Sequence, residues 1–198
     1  RKMHSTRRDA FKTINDEPVA RIWKDGRIEF ISSSTTSTAL PAQKAKENKI
    51  IADAVFEEKT ALLKLFPGAS PDLLTSLVDS GYKGVVLEAF ALGHVPTKPL
   101  QAKDSWIPAV KRAVDQGVFV AVTTQCYYGR VNAFVYENLR ALHQAGAVHC
   151  EDLLPETAFV KLGWLLGHKL RSLGEVKNKM LQNLAGEYNS RLTEEEFY

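Results

Sequence analysis

The stretch Gly117 to Asn132, GVFVAVTTQCYYGRVN, constrains the fold more than any other part of the chain. An unbroken apolar run, Val118 to Val122, turns into Thr123, Thr124, Gln125, Cys126, Tyr127 and Tyr128, followed by Gly129, Arg130 and Asn132. A strand covered on both faces reads as continuous Val, Leu, Ile and Phe, and parallel sheets with helices on each side supply that cover. The expectation is a buried parallel strand that ends in a polar loop. Ligand groups collect beyond the carboxyl ends of such strands in open α/β sheets.

The remaining sequence supplies partners for such a strand. Ala61 to Phe66 predicts a strand ended by Pro67-Gly68. Ser70-Pro71-Asp72 then predicts an N-cap with proline at the first helical position, opening a helix through Leu73, Leu74, Leu77 and Val78 to Gly81. Gly84 to Phe90 predicts a second buried strand, with Ala91-Leu92-Gly93-His94 as its terminal loop. A helix follows from Trp106 to Gly117, then one over Val135 to Ala145, a short strand at Ala147 to Cys150, and helices from Pro155 and over Leu173 to Leu184. Short strands alternating with helices imply right-handed βαβ units, and so an α/β fold in three layers with a parallel sheet flanked by helices. The rim at the strand ends would gather Pro67, Gly68, Gly93, His94, Thr123 to Asn132, and Cys150 to Asp152. The acids Glu151, Asp152 and Glu156 also suit a helix N-terminus, where the dipole favours negative charge.

A different organisation precedes this alternation. Five Lys or Arg occur before position 13, and Ser5 and Thr6 stand ahead of a helix-like stretch with Ala10, Phe11 and Ile14. A solvated helix face explains the basic cluster, and contact with phosphate or an acidic partner would suit it too. Val19 to Trp23 and Arg27 to Ile31 read as a hairpin about Lys24-Asp25-Gly26. Ser32 to Thr38 has no apolar residue and Ala39 to Lys49 is rich in Lys, Gln and Glu, so this tract reads as a linker. The expected division is 1–31 as the end of one domain, 32–57 as linker and 58–198 as an α/β domain. Because the chain opens on Arg1 rather than Met, it is expected to be a piece of something longer.

Composition narrows the chemistry. A net charge of +3 with no dense basic stripe gives little support for nucleic-acid binding, which needs many phosphate contacts, yet leaves RNA open as a partner. The two cysteines, Cys126 and Cys150, are far apart, so neither a disulfide framework nor a zinc signature is present, and a reducing, cytoplasmic setting fits. No apolar run approaches bilayer length, so no membrane role is expected. His94 with Cys126 has the residue types of a thiolate nucleophile, provided the two are in hydrogen-bonding reach and the thiol pKa is lowered; a packing cysteine after a strand needs neither. His149 to Asp152 are consecutive, and alternate faces of a strand make them a poor metal set, so no metal is expected.

Six motifs in order carry a resemblance: HSTRRDAF (His4 to Phe11), PGASPDLL (Pro67 to Leu74), GYKGVVLEAFALGHVP (Gly81 to Pro96), TTQCYYGRVN (Thr123 to Asn132), CEDLLPETAFVKLGWLLG (Cys150 to Gly167) and NLAGE (Asn183 to Glu187). Together they resemble the asparaginase/glutaminase family, and within it the D-type subunits of archaeal tRNA-dependent amidotransferases. The resemblance implies that residues 1–31 are a helix and β-hairpin remnant of the N-terminal domain and that 58–198 are the C-terminal domain. The family's nucleophilic threonine lies in a TGGT-type loop and is joined by a Thr-Asp-Lys set. Neither occurs here, so the chain alone has no catalytic residue.

What the resemblance implies for the rim is specific. In family homodimers the C-terminal domain closes the active site of the neighbouring subunit through a polar residue in the loop after its second strand, a position that falls on His94 within ALGHVP. Thr124, Gln125 and Cys126 match part of a regulatory asparagine site, whereas Glu88 stands where that site has Arg and would repel a carboxylate. CEDLLPETA favours the tRNA-dependent branch. That branch implies glutamine hydrolysis here, an E-type partner subunit, tRNA bound through the complex, and ATP with magnesium only at the partner. A cytosolic L-asparaginase and a non-catalytic dimerisation module are the alternatives.

Overall fold

The computed structural model describes residues 3–4, 12–15, 18–31, 52–170 and 172–189. They fall into two compact units, residues 1–53 and 54–198.

In the first unit, β1 (Met3–His4) pairs antiparallel with β2 (Lys12–Thr13), Met3 opposite Thr13. This corrects the expected helix at its carboxyl end. Thr13 and Ile14 are β-branched, which costs side-chain freedom in a helix and suits a strand. The rest of that stretch, including Arg1, Lys2, Arg7 and Arg8, lies outside the described residues. The hairpin forms as its turn signal requires: β3 (Ala20–Ile22) pairs antiparallel with β4 (Ile28–Phe30), and the Gly26 amide donates to the Trp23 carbonyl at 3.0 Å. Residues 32–51, most of the expected linker, lie outside the described residues.

The second unit is built on a four-stranded parallel sheet in the order β5-β6-β7-β8, comprising β5 (Thr60–Lys64), β6 (Gly84–Ala89), β7 (Phe119–Thr124) and β8 (Val148–His149). The joining helices are α1 (Asp72–Asp79), α2 (Trp106–Asp115) and α3 (Glu137–Gln144), and the chain continues into α4 (Pro155–Gly167) and α5 (Leu173–Met180). Alternation along the strands divides the apolar residues between two cores. Val85, Leu87, Ala89, Val120 and Val122 meet Leu74, Val78, Trp106, Val110 and Leu142. Val86, Phe119, Ala121 and Val148 meet Ala158, Leu162, Leu165, Val176 and Met180 from α4 and α5. The expected three-layer α/β architecture is present.

Several boundaries differ from expectation by a few residues, the last helix ending at Met180 rather than Leu184 among them. β7 runs through Thr123 and Thr124, both buried, instead of ending at Val122; threonine fits a pleated strand, and the Thr123 hydroxyl donates to the Leu87 carbonyl at 3.4 Å. α1 begins at Asp72, one residue late, with Ser70 Oγ accepting from the Asp72 amide at 3.2 Å. α3 begins at Glu137, leaving Val135 and Tyr136 exposed ahead of it.

The C-terminal segment is held on by charge. Lys161 of α4 is buried, its Nζ 2.6 Å from Glu187 and donating to the Gln182 carbonyl at 2.5 Å. Burial would raise the Glu187 carboxyl, but hydrogen bonds from Lys161 and from the Ala185 and Leu184 amides outweigh it and hold the group below the usual carboxylate range. Asp152 accepts from the Asn189 amide at 3.0 Å. Among the described residues no helix is long and apolar enough to cross a membrane.

At the other end of this unit Phe56 crosses α4. A Cβ on Gly163 would lie within 2.1 Å of its ring, and the Glu57 amide donates to the Gly163 carbonyl at 2.9 Å. Only glycine leaves that space. Gly163→Ala should therefore cost about 1–3 kcal/mol in denaturant unfolding through overpacking. Adding Phe56→Ala should return part of that cost, so the double variant is more stable than the sum of the singles predicts. Simple additivity would show that the ring and the glycine do not share the space.

Candidate functional site

The carboxyl rim is shaped by a tight loop after β6. The Phe90 amide donates to the His94 carbonyl at 3.1 Å and the His94 amide to the Phe90 carbonyl at 2.7 Å, folding residues 90–94 back on themselves. Gly93 makes this possible with φ +103°; a Cβ there would stand 3.1 Å from His149 Cδ2, 3.2 Å from Val122 and 3.3 Å from Val131. The backbone angle favours glycine strongly, and a Cβ would also press its three neighbours outward by a few tenths of an ångström. The segment after β7 is fastened to this loop and to the end of β8: the Asn132 amide donates to the Leu92 carbonyl at 3.0 Å and the Val131 amide to the Glu151 carbonyl at 2.8 Å. His94 is thereby presented half-buried, its ring 5.5 Å from that of Tyr136.

The second candidate group forms around the ends of β5, β6 and β7. Gln125 donates through Nε2 to the Leu65 carbonyl at 2.5 Å and the Glu88 carbonyl at 3.0 Å, so its amide joins two strand ends. The Cys126 amide donates to Thr124 Oγ1 at 3.0 Å. Glu88 pairs with Lys64 at 2.6 Å, a cation that sequence reasoning missed because it sits on a neighbouring strand. Cys126 is exposed, which corrects the packing role expected of a cysteine after a strand. Its thiol makes no hydrogen bond among the described residues, to His94 or to any other group. Cys150 is the packed one, its thiol pushed up to about 12 by burial.

Sequence reasoning weighed His149 only as a poor metal ligand and missed that it lies with His143 beneath the loop. His149 of β8 is only 6% exposed, and neither of its ring nitrogens has a hydrogen-bond partner among the described residues. His143 of α3 lies 6.1 Å away, ring to ring, with its Nδ1 likewise unpartnered, and packs edge-on against Phe134 at 5.3 Å. Burial, then the nearby His143 and His94, bring the His149 pKa down to about 4. His94 lies some fifty residues before His143 and His149, so only the fold brings it to them. Among the described residues no group of three or more His, Cys, Asp or Glu is arranged to hold a metal.

The glutaminase/asparaginase C-terminal domain family matches residues 59–180, the span that contains the sheet, α1 to α5 and both groups at the rim. The chain belongs to the glutaminase/asparaginase family. Similar curated relatives are the D-type subunits of glutamyl-tRNA(Gln) amidotransferase from Pyrococcus furiosus, 51% identical over 94% of this chain and 39% of the relative, and from Thermococcus kodakarensis, 50% identical over the same shares. That of Sulfolobus acidocaldarius is 43% identical over 96% of the chain and 39% of the relative. The chain thus spans about two-fifths of the length of these relatives. Among solved structures, the thermostable L-asparaginase from Thermococcus kodakarensis superposes with a TM-score of 0.75 at 27% identity, over 95% of this chain and 52% of that one. L-asparaginase I from Vibrio cholerae superposes at 0.71 and 24% identity, over 96% and 53%, a likeness of fold.

The family's rim here therefore stands over a buried imidazole, and this has a pH consequence. The ordinary value is 6.5 and folding lowers it to about 4, so the unfolded chain takes up this proton first as pH falls. The contribution of neutral His149 is complete above pH 6.5 and is lost toward pH 4, by up to about 3 kcal/mol. Denaturant unfolding across that window should show His149→Phe with a shallower slope than the parent, by up to about 1.4 kcal/mol per pH unit. Parallel curves would contradict the buried neutral imidazole.

Proposed function

We propose that this chain is the C-terminal portion of the glutamine-hydrolysing subunit of a tRNA-dependent amidotransferase, which supplies ammonia for converting Glu-tRNA(Gln) to Gln-tRNA(Gln). The observation that carries this reading is the 51% identity, over 94% of the chain, to a protein named as the D-type component of glutamyl-tRNA(Gln) amidotransferase. The nucleophile, base and oxyanion donors that amide hydrolysis needs belong to the remainder of the longer protein. The E-type subunit, reached through a homodimer of this one, binds tRNA and holds ATP and magnesium.

In this reading His94 orients the substrate. An imidazole held half-buried beside Tyr136 offers a donor or acceptor to the α-amino or carboxylate group of glutamine, across the interface to a neighbouring subunit. The other strand-end residues serve the scaffold: the Gln125 amide is spent on two carbonyls and Glu88 is paired with Lys64. This supports reading Glu88, Thr124, Gln125 and Cys126 as rim structure rather than as an amino-acid sensor.

The test is His94→Ala in the full-length protein. Loss of one hydrogen bond to a charged substrate group should lower kcat/KM for glutamine by about 10- to 100-fold. Unchanged kinetics would remove His94 from the site. Glutamine hydrolysis stimulated by tRNA and a co-purifying second subunit are expected as well; release of ammonia from asparagine without either would favour the L-asparaginase reading that the 27% identical structural neighbour suggests.

A further inference from the structure

A buried imidazole with both nitrogens unpartnered is costly, and a native structure that keeps one calls for a reason. His149 touches the one loop whose position matters most for the proposed site. The Gly93 backbone lies so near its Cδ2 that a Cβ would be 3.1 Å away, and Gly93 precedes His94 directly. The groups that act on its charge are His143, from α3, and His94, from the loop itself. β7 alongside presents Val122, Thr123 and Thr124, none of which titrates. Beyond its own strand Glu151 lies 3.7 Å from Arg130. Among the described residues nothing acidic acts on His149, and positive charge on its imidazole neighbours would repel its own.

We propose that His149 is a pH-sensitive seat for the rim: its neutral imidazole holds the 90–94 loop in place, and protonation lifts that loop, with residues 131–136, off the sheet and withdraws His94. The consequence for catalysis rests on the reading of His94 given above; the movement itself does not. Protonation is the whole chemical event, the proton coming from solvent as the loop opens. An opened loop restores water to the ring and separates it from the other two imidazoles, so acid favours the open form.

Amide hydrogen exchange by NMR on the 198-residue chain tests this without any assay of turnover. The amides of His94 and Asn132, bonded to the Phe90 and Leu92 carbonyls, report the loop; those of Val86 and Ala121 report the sheet. After correction for intrinsic exchange, the opening constant at the loop should rise between pH 7 and pH 4 by about 100-fold, the ratio set by a seat that titrates near 4 when closed and 6.5 when open. Loop protection should stay below sheet protection throughout. In His149→Phe the loop constant should be flat over the same range. A pH-independent loop in the parent, the same slope in His149→Phe, or loop amides that exchange only together with the sheet would each overturn the proposal. Should His149→Phe not fold, the parent's slope decides, and His143→Gln, which removes one neighbouring charge, should make that slope shallower. His94→Ala kinetics test the functional reading separately, so failure of one is distinguishable from failure of the other.

Discussion

The close approach of the Gly93 backbone to the His149 ring fixes the geometry of the rim. A side chain at position 93 would press on His149, Val122 and Val131 at once and would strain a backbone at φ +103°, so glycine lets the loop after β6 lie close across β7 and β8. From that contact follow the return of the chain at Phe90 and His94, the anchoring of Asn132 on Leu92, and the presentation of His94 beside Tyr136. The sheet supplies the platform. β6 and β7 are buried along their length and send alternate residues into two separate cores, so the strand ends cannot shift without disturbing both.

The fold was largely legible because its signals are strong and local. Apolar runs at Val118 to Val122 and Gly84 to Leu87, separated by helix-length amphipathic segments, leave few architectures other than a parallel sheet between helices. Where expectation failed, a competing preference had been underweighted. Thr123 and Thr124 look polar in a sequence but behave as β-branched strand residues once a carbonyl such as that of Leu87 accepts the hydroxyl. Thr13 belongs to a strand rather than a helix for the same reason.

The site was legible only in part, because spacing along the chain does not reveal neighbours across strands. His94 could be placed at a strand end from the loop that carries it. Lys64 as the partner of Glu88, and His143 and His149 beneath Gly93, come from other elements, and no periodicity points to them. Gln125 shows the converse. It reads as a ligand-binding amide in the sequence, and the fold turns it to the carbonyls of Leu65 and Glu88, where it ties β5 to β6.

The central claim is that this family's C-terminal domain lends His94 to a site it does not itself complete. Subunit complementation tests that most directly. Full-length protein carrying His94→Ala is mixed, under conditions of subunit exchange, with full-length protein whose nucleophile has been removed. If His94 serves the neighbouring subunit, half the dimers become mixed and each holds one intact site, so activity should recover to about a quarter of the parent's. Activity no greater than that of the two variants measured separately would contradict the account, since His94 would then act only within its own chain or not at all.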